Sequence, residues 1–210
     1  MQSISPEKVF RGRSAWLEAL PQISLISKRP LILGRSTNTY NLRNKIHKDL
    51  KGQKLSVSLA NLEFDCCYED LSRIMNIIHK NKCDSIIAAG GGKVLDAGKY
   101  LAEYCAIPSI TVPLSASTCA GWTALSNIYT KNGQFIRDFI LSACPKLLIF
   151  DHSFIRTAPK RTLASGIADA LAKWYESSLT SSGIEDGLVQ QAIQTSRVLR
   201  DQLLIDGEKA

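Results

Sequence analysis

SIIAAGGGKVLDAGKYLAEYCAIPSITVP, residues 85–113, holds a short apolar run, three glycines with a lysine, a helical run and a second apolar run. SIIAA (85–89) has the length and composition of a strand buried on both faces, and PSITVP (108–113) reads as the next one. Between them, residues 93–105 read as a helix with Leu95, Leu101 and Ala102 among its inward positions. Strand, helix and strand in so short a stretch imply a right-handed crossover and a parallel sheet. Glycine loses more conformational freedom on ordering than any other residue, so three in a row between a strand and a helix need a reason.

A helix start exposes unpaired N–H groups and a partial positive charge. Residues without a Cβ let a diphosphate come close to such a backbone, and Lys93 adds a cation. The carboxyl end of a parallel strand is also where open α/β sheets bind ligands. GGGKVLD is not a GxGxxG fingerprint. Nor is it a P-loop, because Val94 follows the lysine where a magnesium-binding Ser or Thr belongs. A tight turn without a ligand is the plain alternative.

The same alternation extends outward from this stretch. Residues 30–34 (PLILG) read as a buried strand, 39–51 as an amphipathic helix and 54–60 (KLSVSLA) as a strand of period two. Residues 68–80 place Leu71, Ile74, Met75 and Ile78 on one helical face. Residues 127–130 and 135–141, joined by a KNG turn, read as a β-hairpin, and 146–151 (KLLIFD) as a further buried strand. From Pro159 on, strand signals stop; 159–179 and 185–204 read as two helices. The expected architecture is a Rossmann-like α/β domain over residues 1–158, followed over 159–210 by the first helices of an all-α domain.

Bulk composition narrows the function classes. Hydrophobic residues make up 45% and charged residues 21%, an ordinary globular balance. No run is long enough to span a bilayer and the N-terminus lacks the apolar core of a signal peptide, so the expectation is a cytoplasmic protein. The net charge of +7 is spread along the chain without an aromatic-studded basic stripe, which argues against nucleic acid. Six cysteines, two of them adjacent (Cys66 and Cys67), fit neither a CxxC pair nor a zinc ribbon, and several are expected to pack as small apolar groups.

Three segments in order, GGGKVLDAGKYLA (90–102), IPSITVPLSASTCAGWTALSNIYT (107–130) and APKRTLASGIADALAKWYE (158–176), resemble the iron-containing (group III) alcohol dehydrogenase superfamily, in its glycerol dehydrogenase-like branch. The resemblance runs over residues 30–176. It implies an α/β nucleotide-binding domain, a helical domain, an active site in the cleft between them, and NAD(P)-dependent interconversion of an alcohol and a carbonyl assisted by one divalent metal, zinc or iron. It places Gly91, Gly92 and Lys93 at the cofactor's diphosphate, with Asp96 in the same motif. Asp96 could equally serve the dipole from the first helical turn. Ser117, Thr123, Leu125 and Tyr129 match cofactor-lining positions, although Leu125 and Tyr129 would also suit a core. Asp169 matches the metal-binding aspartate and sits in an apolar helical stretch, where Lys173 at i+4 is the plain partner. Without an ion or a cation, a buried carboxylate there would be costly.

The sequence also departs from the family pattern. The two histidine ligands expected after Asp169 have no counterpart, because His47, His79 and His152 all precede it. The expectation is a fragment, a chain without metal chemistry, or a partner that supplies the missing half; a homo-oligomer or a missing C-terminal segment would cover Leu163, Ile167, Leu171 and Leu188. The substrate loop reads STCAG, with Cys119 where the branch has an aspartate that holds the polyol, and a thiol accepts hydrogen bonds weakly. Trp122 beside it could shape a more apolar pocket or serve as packing, and packing is the favoured expectation. After the first strand, Arg35 stands where NAD-selective members carry an acid, which suits a 2′-phosphate and predicts NADP over NAD. A small-molecule alcohol or carbonyl is the expected partner. Two rival readings are a nucleotide-binding module without turnover and a dehydroquinate synthase-like lyase.

Overall fold

A computed structural model describes residues 4–209. They form two compact units. One holds the described residues through Ser115 together with Cys119–Ala158, and the other holds Ala116–Thr118 with the described residues from Pro159 onward.

The first unit is a three-layer α/β/α sandwich. Its strands are β1 (Lys8–Gly12), β2 (Pro30–Gly34), β3 (Ser58–Asn61), β4 (Ser85–Gly90), β5 (Ser109–Pro113) and β8 (Leu147–Asp151), paired in the order β1-β8-β5-β4-β2-β3 with every pairing parallel. Every residue of β2 and β4 is buried, as expected for strands covered on both sides. Period two divides them between the faces: Leu31, Leu33, Ile86 and Ala88 pack in one cluster, and Ile32, Ile87 and Ala89 in the other. Helices α3 (Tyr68–Lys80) and α4 (Gly92–Tyr104) close the first face; α1 (Ala15–Ile26) and α2 (Tyr40–Gly52) close the second.

The expected strands and helices are present, shifted by a few residues at their ends. The largest shift is β3, which pairs only from Ser58 although the period-two pattern starts at Lys54. The N-terminal strand β1 and helix α1 were not foreseen. Pro21 inside α1 speaks against a helix, yet Ala15, Trp16, Ala19, Leu20 and Ile23 are buried along one face. Burial of that face outweighs the lost backbone bond.

A separate two-stranded antiparallel sheet pairs β6 (Leu125–Tyr129) with β7 (Phe135–Ile140). Gly133, at φ +80° in the turn between them, takes the left-handed conformation that favours glycine. On β7, Phe139 packs on Tyr100 and Tyr104 of α4, whereas Phe135, Ile136 and Ile140 are exposed. The chain then passes through β8 into the single helical turn α5 (His152–Ile155).

The second unit contains α6 (Lys160–Thr180) and α7 (Gly187–Asp206), the latter capped by Asp186, whose carboxylate accepts from the N–H groups of Leu188 and Val189. Neither helix has a buried residue; Leu163, Ile167 and Leu171 are half-buried and Leu188 is exposed. Gly166 is required in α6, because a Cβ there would lie 1.7 Å from the carbonyl oxygen of Ala116. Among the described residues, no helix is long and apolar enough to cross a membrane.

Candidate functional site

Strand order places the site. From β2 the chain goes to β3 at one edge, whereas from β4 it goes on to β5 in the opposite direction. The carboxyl ends of β2 and β4 therefore flank a topological switch point, where open α/β sheets hold their ligands. A groove of about 200 Å³ opens there, lined by Arg35, Ser36, Thr39, Gly90, Gly91, Gly92, Lys93 and Val94.

The three glycines are not equivalent. A Cβ on Gly90 would stand 2.8 Å from the Val94 side chain, so packing inside the fold demands glycine there. Gly91, the N-cap of α4, has φ −87° and ψ −174°, which any residue adopts. A Cβ on it would meet only the Ser115 hydroxyl, at an ordinary 3.7 Å. Nothing in the fold requires Gly91 to lack a side chain, and the volume left free adjoins unpaired N–H groups at the start of α4. A diphosphate fits such a cradle.

Lys93 follows the turn. Its ammonium bonds the Asp65 carboxylate and lies 4.9 Å from the centre of the Tyr129 ring. Asp65 is 2% exposed, and its other oxygen accepts the N–H of Cys66 at 2.7 Å. Burial pushes both the Tyr129 hydroxyl and the Cys66 thiol upward from their ordinary values. The backbone of Tyr129 is also fixed, since its N–H donates to the Cys66 carbonyl at 2.9 Å. Lys93, Tyr129 and Asp65 thus form one cluster beside the glycine turn.

Arg35 is exposed at the mouth of the groove, where its guanidinium donates to the Phe64 carbonyl. Beneath it lies a second arginine that the sequence did not single out. Arg43 of α2 reaches back over Gly34, where any Cβ would collide with its side chain at 2.2 Å. It donates to the carbonyl of Ser36 at 2.9 Å, to the Thr39 hydroxyl and to Asn61 Oδ1 at 3.3 Å. Burial lowers its pKa. Asp70 organises the opposite side: its carboxylate accepts from the N–H groups of Glu63 and Phe64 and from Arg73. The pairing of Gly34 with an arginine nine residues on was the available signal for Arg43; Asp65 and Asp70 carry none that spacing alone reveals.

Asp96 lies beyond the first turn of α4, so the dipole reading is corrected. It is nearly buried and pairs with Lys99 at 3.1 Å. Burial raises the Asp96 carboxyl and lowers the Lys99 ammonium from their ordinary values, and each partner's charge opposes the shift. Lys99 in turn donates to Thr123 and to the Leu125 carbonyl, which brings Asp96, Thr123 and Leu125 together.

Ser117 and Asp169 belong to the second unit. The Asp169 carboxylate is 38% exposed and pairs with Lys173 at 3.3 Å, so the expected burial is absent. No group of three or more His, Cys, Asp or Glu side chains among the described residues is placed to hold a metal ion, and the residues present do not fit one by themselves. Cys119 is exposed, its carbonyl accepting the N–H of Trp122 at 2.9 Å. Trp122 is exposed as well, against the packing expectation.

The chain is similar to known proteins in sequence and fold. The chain is 38% identical over 201 residues to an uncharacterized oxidoreductase of Synechocystis, covering 96% of this chain and 52% of that protein. It is 32% identical over 211 residues to glycerol dehydrogenase of Escherichia coli, covering 98% and 58%. Among solved structures, a probable glycerol dehydrogenase from Sinorhizobium meliloti superposes with a TM-score of 0.85 at 23% identity, over 99% of this chain and 58% of that one, which shows the fold. Glycerol dehydrogenase from Schizosaccharomyces pombe gives 0.74 at 31% identity, over 86% and 46%. The chain therefore spans about half the length of the relatives it matches. Residues 6–152, most of the α/β unit, fit the family described as iron-containing alcohol dehydrogenase, and the chain belongs to that family.

Proposed function

We propose that this chain supplies the dinucleotide site of an NAD(P)-dependent oxidoreductase that interconverts an alcohol and a carbonyl. The observation that carries the reading is the turn at the switch point. Gly91 leaves open a volume that the fold does not need, at the start of a helix and beside a lysine. Gly91, Gly92 and Lys93 hold the diphosphate. Thr123, Leu125 and Tyr129 line the remainder; for Ser117 the resemblance alone supports a cofactor role. When bound, the nicotinamide supplies hydride transfer, and the protein's part is to align it and exclude water.

Arg35 sets a preference for NADP. Its guanidinium is held over the groove by the Phe64 carbonyl beside Ser36 and Thr39, and a cation there suits a 2′-phosphate. Cys119 in the substrate loop removes the carboxylate that would hold a polyol, which favours a less hydroxylated substrate than glycerol. Asp169 contributes at most one ligand to a zinc or iron ion, and no step is routed through a metal. The placement of α/β residues in 1–158 and helical residues in 159–210 as nucleotide and metal or substrate domains accompanies this reading, as does assembly into a homo-oligomer. Binding without turnover is the second reading.

Calorimetric titration of the chain with NADPH and NADH is the test. Binding of both, tighter for NADPH and equalised by Arg35→Ala, is expected. No heat with either would remove the assignment, and equal or tighter NADH binding would remove the NADP preference.

A further inference from the structure

Helix α4 starts at the phosphate turn and, two turns on, carries a lysine that the fold buries to 2% exposure. The Lys99 ammonium has four acceptors: Asp96 Oδ1 at 3.1 Å, the Thr123 carbonyl at 3.1 Å, the Thr123 hydroxyl at 3.2 Å and the Leu125 carbonyl. Three of the four lie on the segment that leads into β6. A fourth tie runs the other way, from the Ser126 hydroxyl to the Asp96 carbonyl at 2.9 Å. An ammonium offers three protons, so its donors are fully committed to holding this segment.

Such a pair is a poor source of stability. Removing two charges from water costs about as much as their attraction returns, and apolar replacements of similar volume are often as stable. What the pair does supply is registry. Thr123 and Leu125 are held at one offset from α4, and Tyr129 follows them along β6 to the Lys93 ammonium.

We propose that the Asp96–Lys99 pair is a positioning device that fixes the segment 123–129 relative to the phosphate turn. A dinucleotide anchored by its diphosphate at Gly91–Lys93 then meets a preformed wall for its nicotinamide half. Asp96 acts through Lys99 and does not touch the cofactor. The proposal rests on the dinucleotide reading above.

The test compares two ligands by calorimetry on the full 210-residue chain: NADP+ and its counterpart lacking only the nicotinamide, 2′-phospho-ADP-ribose. The double variant Asp96→Leu with Lys99→Met removes the pair without stranding a charge. Its affinity for NADP+ is expected to fall about tenfold, while 2′-phospho-ADP-ribose and the melting temperature stay close to those of the unaltered chain. Ser126→Ala removes the remaining tie by deleting one oxygen; it is expected to show the same selective loss at about threefold. Unchanged affinity for both ligands would overturn the proposal, as would a parallel loss of both with the fold. If the unaltered chain binds 2′-phospho-ADP-ribose but gains nothing from the nicotinamide, positioning fails while the phosphate cradle stands. If it binds neither, the dinucleotide reading fails as well.

Discussion

The Lys93 ammonium bonds the buried Asp65 carboxylate and lies over the Tyr129 ring, so the cation of the glycine turn already has an internal counter-ion. On the proposed reading, a diphosphate competes with Asp65 for that charge. Asp65→Asn keeps the shape and removes the competitor. ADP is expected to bind several-fold tighter to this variant, with the gain shrinking between low salt and about 0.5 M salt. Calorimetry at two ionic strengths checks this, and weaker binding would show that Asp65 aims Lys93 at the ligand.

The neighbouring glycines separate packing from ligand access. Gly90→Ala drives a methyl group into Val94 and is expected to cost about 1–3 kcal/mol of stability with urea denaturation as the measure. At Gly91→Val the Cβ itself meets no obstacle in the fold, its nearest neighbour being the Ser115 hydroxyl at 3.7 Å. The variant is expected to lose about 1 kcal/mol at the N-cap and to abolish nucleotide binding. Retained binding by Gly91→Val would empty the cradle of its meaning.

Gly98 reports on the contact between helix and sheet. A Cβ there would stand 2.4 Å from the Ala88 Cβ, so α4 lies against β4 at a distance only glycine permits. Gly98→Ala is expected to destabilise by about 2 kcal/mol, despite the better helix propensity of alanine. An unchanged urea midpoint would contradict that contact.

Acid should weaken the loop that holds Arg35. Burial alone would raise the Asp70 carboxyl, but the Arg73 guanidinium and the N–H groups of Phe64 and Glu63 outweigh it and hold the pKa below its ordinary 3.8. The stability this contributes is complete above the ordinary value and is lost as pH falls through the depressed one. Asp70→Asn is expected to cost about 1–3 kcal/mol at pH 7, and the difference should shrink below pH 4. A pH-independent difference would mean that the carboxylate's charge is irrelevant to the fold.

Much of the architecture was legible because it is local. Unbroken apolar runs such as PLILG and SIIAA, short and bounded by turn residues, read as strands covered on both faces, and GGGK marks the strand-to-helix turn. The N-terminal strand and helix were hidden because Pro21 argues locally for a break while the burial of Trp16 and Ile23 argues globally for a helix. The candidate site was legible where one motif carries it, at Gly91, Gly92 and Lys93. Its supports were not. Asp65 reaches Lys93 across 28 positions, and Lys99 reaches Leu125 across 26. Asp169 lies among apolar sequence neighbours on a helix that has no buried residue, and it meets the i+4 partner its spacing offers, Lys173.

Among the described residues, β7 has β6 beside it on one side and no strand on the other. The N–H of Leu141 bonds the Ala124 carbonyl at 3.0 Å, so the peptide groups of Arg137 and Phe139 turn toward β6 and those of Asp138 and Ile140 turn outward. Two copies meeting edge to edge in antiparallel fashion would have to match residues of equal parity. The registers of greatest overlap then set Asp138 against Asp138, or Arg137 against Arg137, and both juxtapositions repel. The strand that shows Ile140 81% open to solvent thus carries a deterrent against being zipped into an extended ribbon.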